Sequence, residues 1–271
     1  IHGGGFTSGS RVSFIGQFLE LLTSAGYNWF ALDYRKQGLS HYKDSLADVR
    51  AALAFIRCHA TEFRIDPDRI ALLGEDTGAT LAALLAAEKP AGVIANVMIG
   101  GVYDLRSTKP YQDHTDTQLL TAASPINNIV SAMPDTLMIH GSQDTEASSA
   151  QATDYFIAFQ QAGENNCVLE FENAIHRPEN WRPEQWKYKA FLLRWLNVKM
   201  KLKETEHEPY VSPTLRKDIV FSAKHNLKLD AYVPKGRGPF PAVIIAHGGG
   251  WEAGDKVTYA TPIFEPLAKA G

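Results

Sequence analysis

The stretch Gly74-Glu-Asp-Thr-Gly78 constrains this chain more than any other. It follows an apolar run, Arg69 to Leu73, and opens a helical run, Ala79 to Ala87. A strand, a sharp turn flanked by two glycines and then a helix form a recognisable unit. The glycines let the backbone turn tightly and let strand and helix approach closely. The residue between them, Asp76, is held in a strained turn at the head of the helix, where backbone amides favour negative charge. A chain built around such a turn is expected to contain a parallel sheet whose strand ends carry the chemistry.

The rest of the chain fits that frame. Strand signals at 28–33, 69–73, 93–99, 136–140 and 167–171 alternate with helical runs at 46–61, 79–87, 147–162 and 183–198. Ile65-Asp-Pro-Asp-Arg69 reads as a turn, and 104–123 as a polar insertion or cap. Alternation of this kind argues for a mostly parallel central sheet with helices on both faces. Residues 199–214 are polar, charged and contain two prolines, so they read as a linker. Beyond it, 217–221, 227–233 and 242–246 read as strands, the second alternating like a half-buried antiparallel strand.

One segment occurs twice. Residues 1–26 align without a gap to 246–271, with 10 of 26 positions identical, among them His2-Gly-Gly-Gly5 and His247-Gly-Gly-Gly250. The chain therefore holds one full period plus a duplicated first segment. Two explanations stay open and are compatible: a window from a tandem two-domain protein, or a permuted domain whose early strands come from the C-terminal segment. On either, 1–198 is the main part of the domain, 199–214 the linker, and 215–271 completes that domain or starts a second copy.

Composition excludes several classes. With 45% hydrophobic and 21% charged residues, and a formal net charge of -3, the chain gives no electrostatic case for nucleic acid or for an anionic membrane. No apolar run approaches the roughly 18 residues that span a bilayer. Cys58 and Cys167 stand in no metal or redox spacing and read as packed thiols. Gly3-Gly4-Gly5 lacks the spacing of a dinucleotide fingerprint. No cofactor and no metal are expected. Ile1-His2-Gly3 opens inside a motif, so the sequence assigns no compartment.

Together HGGGF, ALDYR, LADVRAALAFI, IDPDRIALLGE-x-x-G, ASPI, MIHGSQD and ENAIH resemble the α/β-hydrolase fold, and more narrowly the HGGG-containing esterase, lipase and carboxylesterase group. The resemblance covers essentially the whole chain, in permuted order. It implies a carboxylic ester hydrolase acting on small acyl esters. Asp76 takes the nucleophile position, His176 the general base and Asp144 the acid that orients it. This order along the chain is the one the fold uses. The resemblance also implies Gly3 and Gly4 as oxyanion donors, joined by the Thr77 amide, with Gly248 and Gly249 as the same donors in the second copy. His2 and His140 read as structural, Glu75 as an elbow residue oriented by packing, and Trp181, Trp186 and Trp195 as core.

The departure is Asp76, where that group carries Ser. A carboxylate can attack an electrophilic carbon and form an ester that a His-activated water hydrolyses. Alternatively the site has lapsed, leaving an impaired enzyme or a binding module that keeps the pocket. One domain has one slot for the segment that exists twice. Residues 1–26 are expected to hold it and the spare copy to drive self-association.

Overall fold

The computed structural model describes residues 1–13, 16–109, 111–164, 167–178, 181, 187–201, 214–233 and 240–245. Eight strands form one sheet: β1 (Asn28–Leu32), β2 (Ile65–Glu75), β3 (Val93–Ile99), β4 (Asp135–Gly141), β5 (Cys167–Glu172), β6 (Thr214–Ser222), β7 (Leu227–Val233) and β8 (Phe240–Ile245). Their order across the sheet is β5-β4-β3-β2-β8-β1-β7-β6. The six from β5 to β1 run parallel, and β7 turns the edge antiparallel on both β1 and β6.

Side-chain alternation explains why both faces are covered. In β1, Phe30 and Leu32 join one apolar cluster while Trp29 and Ala31 join the other; in β2, Ile70 and Leu72 oppose Ala71 and Leu73 in the same way. The first cluster includes residues of α2 (Tyr42–Cys58), α4 (Thr77–Ala87) and α6 (Ser149–Gln161). The second includes residues of α1 (Gly16–Ser24) and α7 (Lys187–Lys199). Helix α4 is apolar all round and buried from Thr77 to Ala86, as a helix must be when it is covered on every side.

The C-terminal strands do not merely extend the edge. β8 inserts between β1 and β2, with Ala242 opposite both Asn28 and Ile70 and Ile245 opposite both Ala31 and Leu73. The next step of that ladder is taken by the other end of the chain. The amine of Ile1 donates to Leu73 O at 2.8 Å, and Glu75 N donates to Ile1 O at 3.3 Å. Ile1 thus stands one place beyond Ile245, where the repeat alignment puts Ala246, and brings the first glycine run to the end of β2.

Several expectations shift. The turn at 65–69 is a bulge inside β2: Ile65 pairs with Phe240 and Ile70 with Ala242, so the intervening residues loop out of the ladder. Helix α2 starts at Tyr42 rather than Leu46, and the short helix α3 (Ala60–Phe63) follows it. Cys58 is exposed, not packed, whereas Cys167 is buried. The insertion at 104–123 carries one short helix, α5 (Thr117–Ala123). Of the linker, 202–213 lie outside the described residues, as do 246–271, including Gly248 and Gly249, and Trp186.

Candidate active site

Asp76 sits between the end of β2 and the first turn of α4 with φ 51° and ψ -124°. A non-glycine residue held there stores on the order of 1–3 kcal/mol and persists only where its surroundings over-determine it. The two glycines supply that fit. A Cβ on Gly74 would come within 2.3 Å of Gly78 O, and one on Gly78 within 1.8 Å of Ile1 O. Strand, helix and N-terminal segment therefore meet through bare backbone.

The glycine run approaches Asp76 from the other side. Gly4 N donates to Asp76 Oδ2 at 2.7 Å, and Gly5 N donates to Thr77 Oγ1 at 3.0 Å. The Thr77 hydroxyl lies 3.3 Å from the same Asp76 oxygen. Gly3 contributes by lacking a side chain: a Cβ there would lie 2.6 Å from Asp76 Oδ2 and 2.7 Å from Glu75 Oε2. Buried His2 stacks on Tyr34 with ring centroids 3.9 Å apart, and its Nδ1 lies 2.7 Å from Gly3 O. Tyr34 OH donates to His2 O at 2.5 Å. Burial holds His2 well below the usual imidazole range, so it is a neutral brace for the loop.

Asp144 follows β4 and His176 follows β5. The two lie 32 residues apart, and parallel pairing brings both strand ends to the elbow. His176 Nδ1 lies 2.7 Å from Asp144 Oδ2, and His176 Nε2 lies 3.5 Å from Asp76 Oδ1. Asp144 Oδ1 accepts the amides of Glu146 and Ala147, each at 2.9 Å. Burial alone would lower the pKa of His176. The hydrogen bonds and charges of Asp144 and Asp76 outweigh it and push the imidazole up to about 11. Burial would raise Asp76, yet its bond to His176, the charge there and the Gly4 and Thr77 amides hold it below the usual carboxylate range. Asp144 is held low against burial by bonds from His140 and His176. At neutral pH the centre is an imidazolium between two carboxylates.

Three features were not legible in the sequence. His140 is fully buried, and its Nε2 lies 2.8 Å from Ala147 O and 3.2 Å from Asp144 Oδ2, so Asp144 serves two imidazoles. The His-Gly pair alone gave no sign of that. Gly5 also uses its amide, donating to Thr77 Oγ1. Tyr111 and Thr108, inside the insertion, line the cleft over Asp76. That cleft, of about 180 Å³, is also walled by Val102, Ala147 and Glu146.

The sheet order, the strained elbow and the strand-end loops make this an α/β-hydrolase fold. The match extends to solved structures. The carboxylesterase Cest-2923 from Lactobacillus plantarum WCFS1 superposes with a TM-score of 0.64 at 20% identity, over 75% of this chain and 86% of that one. The acetyl ester-xyloside bifunctional hydrolase from Caldicellulosiruptor lactoaceticus gives 0.62 at 21% identity, over 73% and 80%. The BD-FAE family model matches residues 1–101. In sequence, the chain is 28% identical over 204 residues to Esterase LipQ of Mycobacterium tuberculosis (strain ATCC 25618 / H37Rv), covering 65% of this chain and 48% of that protein. The chain thus spans about half the length of the relatives it matches.

Proposed function

We propose that this chain is a carboxylic ester hydrolase acting on small acyl esters, with Asp76 in the nucleophile position, His176 as its acid and base, and Asp144 orienting His176. One observation carries the reading: His176 bridges Asp144 at 2.7 Å and Asp76 at 3.5 Å at the mouth of a cleft lined by both Asp76 and His176. Similarity to esterases supports the substrate class. In this reading the amides of Gly3, Gly4 and Thr77 serve as the oxyanion donors, with Gly248 and Gly249 as the same donors in the second copy.

The steps balance without a cofactor. Asp76 Oδ1 attacks the acyl carbon, and the departing alkoxide takes the proton from His176 Nε2. The product is an alcohol and a mixed anhydride. His176, now neutral, takes a proton from water as it attacks the anhydride, which releases the acid and restores both the Asp76 carboxylate and the imidazolium. On this reading 215–271 complete the domain formed by 1–198 or start a second copy, the permuted or tandem order accounts for the repeat, and the spare glycine segment drives self-association.

Hydrolysis of p-nitrophenyl acetate and butyrate tests the reading. His176→Ala should lower the rate by about 100-fold or more, the span a positioned acid-base group supplies. Ester turnover indifferent to His176 contradicts the assignment. One observation favours a second reading, a binding module with little hydrolysis: the Gly4 amide is already taken by Asp76 Oδ2. In that case calorimetry detects short esters or carboxylates bound and left intact.

A further inference from the structure

We propose that His140 is a positioning residue for the reaction: its Nε2–H clamps the loop from Asp144 to Ala147, and so aims the Asp144 carboxylate at His176 and sets one wall of the cleft. The inference rests on the reading of Asp144 as the orienting acid and His176 as the acid and base, and adds a residue to that reading.

His140 is the last residue but one of β4. It shares a face of the strand with Met138, which lies in the first apolar cluster. Its ring is fully buried and does not line the cleft, so it can act only through other residues. Nε2 lies 2.8 Å from Ala147 O and 3.2 Å from Asp144 Oδ2. A carbonyl and an ionised carboxylate can only accept, so Nε2 carries the hydrogen and is shared between them.

The loop after β4 is held in two different ways. Its first part is fixed by backbone. Ser142 N donates to Glu172 O at 2.7 Å and Gln143 N to Ala174 O at 2.9 Å, and a Cβ on Gly141 would lie 2.4 Å from Ala174 O. That part binds the acid loop to the loop carrying His176. The second part, from Asp144 to Ala147, closes on itself, because Asp144 Oδ1 accepts the amides of Glu146 and Ala147. His140 draws the Ala147 end of this small ring back onto the strand. Asp144 Oδ2 meanwhile receives His176 Nδ1 at 2.7 Å and His140 Nε2 at 3.2 Å, so two donors on each oxygen fix the plane of the carboxylate. Without the His140 donor, the ring keeps its internal bonds but loses its hold at Ala147. Oδ2 then swings away from His176. Ala147, which lines the cleft with Asp76 and His176, moves with it.

The test joins histidine NMR of the full chain to hydrolysis of p-nitrophenyl butyrate. In the unaltered chain the ring of His140 should carry its hydrogen on Nε2. A bare Nε2 overturns the proposal without any variant. His140→Gln keeps a donor where Nε2 stood, whereas His140→Phe keeps a ring and removes the donor. His140→Asn, whose amide stands nearer the place of Nδ1, removes the same donor and takes the place of His140→Phe if that chain does not fold. In the chain lacking the donor, the Nδ1–H resonance of His176 should move upfield as its bond to Asp144 loosens. There kcat/KM should fall on the order of 10- to 100-fold, the cost of a misplaced catalytic group, with both kcat and KM changed. His140→Gln should stay close to the unaltered chain in both readouts. Equal effects of His140→Gln and the donor-free variant, each with a cooperative melt, would assign the role to packing and overturn the proposal. An unmoved His176 resonance, or unchanged turnover in an active chain, overturns it as well. If the unaltered chain hydrolyses no ester, the reading of function fails, and the His176 resonance still decides this inference.

Discussion

His176 Nε2 stands 3.5 Å from Asp76 Oδ1 while its Nδ1 stands 2.7 Å from Asp144 Oδ2. An imidazole so placed is a proton held between two anions. With Ser at position 76 the same ring would face a hydroxyl and keep a lone pair for it. The identity of one side chain therefore decides whether His176 starts the reaction as an acid or as a base.

The first prediction follows from that pair. Asp76→Asn removes one of the two charges that push His176 up to about 11. The imidazole should titrate at clearly lower pH in the variant, read by NMR of the ring carbons. An unchanged titration would show that Asp76 and His176 do not interact in solution.

Stability should depend on pH through the same groups. His176 is raised from 6.5, so its contribution is complete below pH 6.5 and is lost as pH rises toward about 11. Asp76 and Asp144 are lowered from 3.8, so their contributions are present above that value and are lost as pH falls below it. The Tm measured by calorimetry should be highest between these limits, and its alkaline decline should flatten in Asp76→Asn.

Gly78 tests the meeting of elbow and N-terminal segment. An alanine Cβ there would lie 1.8 Å from Ile1 O, with His2 O at 2.6 Å. Backbone on both sides has no rotamer to yield, so Gly78→Ala should cost about 1–3 kcal/mol or more in urea unfolding. A neutral effect would show that residues 1–2 do not pack on α4.

The sheet order gives a fourth expectation. β8 is the strand that joins β1 to β2, and β7 covers the other edge of β1. A chain ending at Lys201 leaves β1 with neither neighbour and exposes its edges to other chains. It should aggregate or lose its cooperative melt. The repeat adds that the full chain should sediment as a larger species than one ending at Ala246.

Much of this was legible because it is local. The elbow announces itself through glycines at fixed spacing, and the order Asp76, Asp144, His176 follows strands that each carry their own apolar signature. The parts that were not legible depend on distant pairing. Nothing in residues 240–245 says that they lie between β1 and β2, because any apolar strand satisfies the same pattern. His140 gave no sign of touching Asp144, since His-Gly after a strand is common and its contact depends on how the following loop folds back. The bulge in β2 arises because Ile65 and Ile70 both reach β8, which no reading of Asp66-Pro-Asp68 as a simple turn contains.

The most direct measurement compares p-nitrophenyl ester hydrolysis by the unaltered chain, by Asp76→Ser, and by Asp76→Ser combined with His176→Ala. If Asp76 occupies a nucleophile position served by His176, the Ser variant should be the faster esterase. A hydroxyl leaves the Gly4 amide to the substrate, and a freed imidazole lone pair activates it. The double variant should lose that gain. Equal rates for Asp76→Ser with and without His176 would contradict the account.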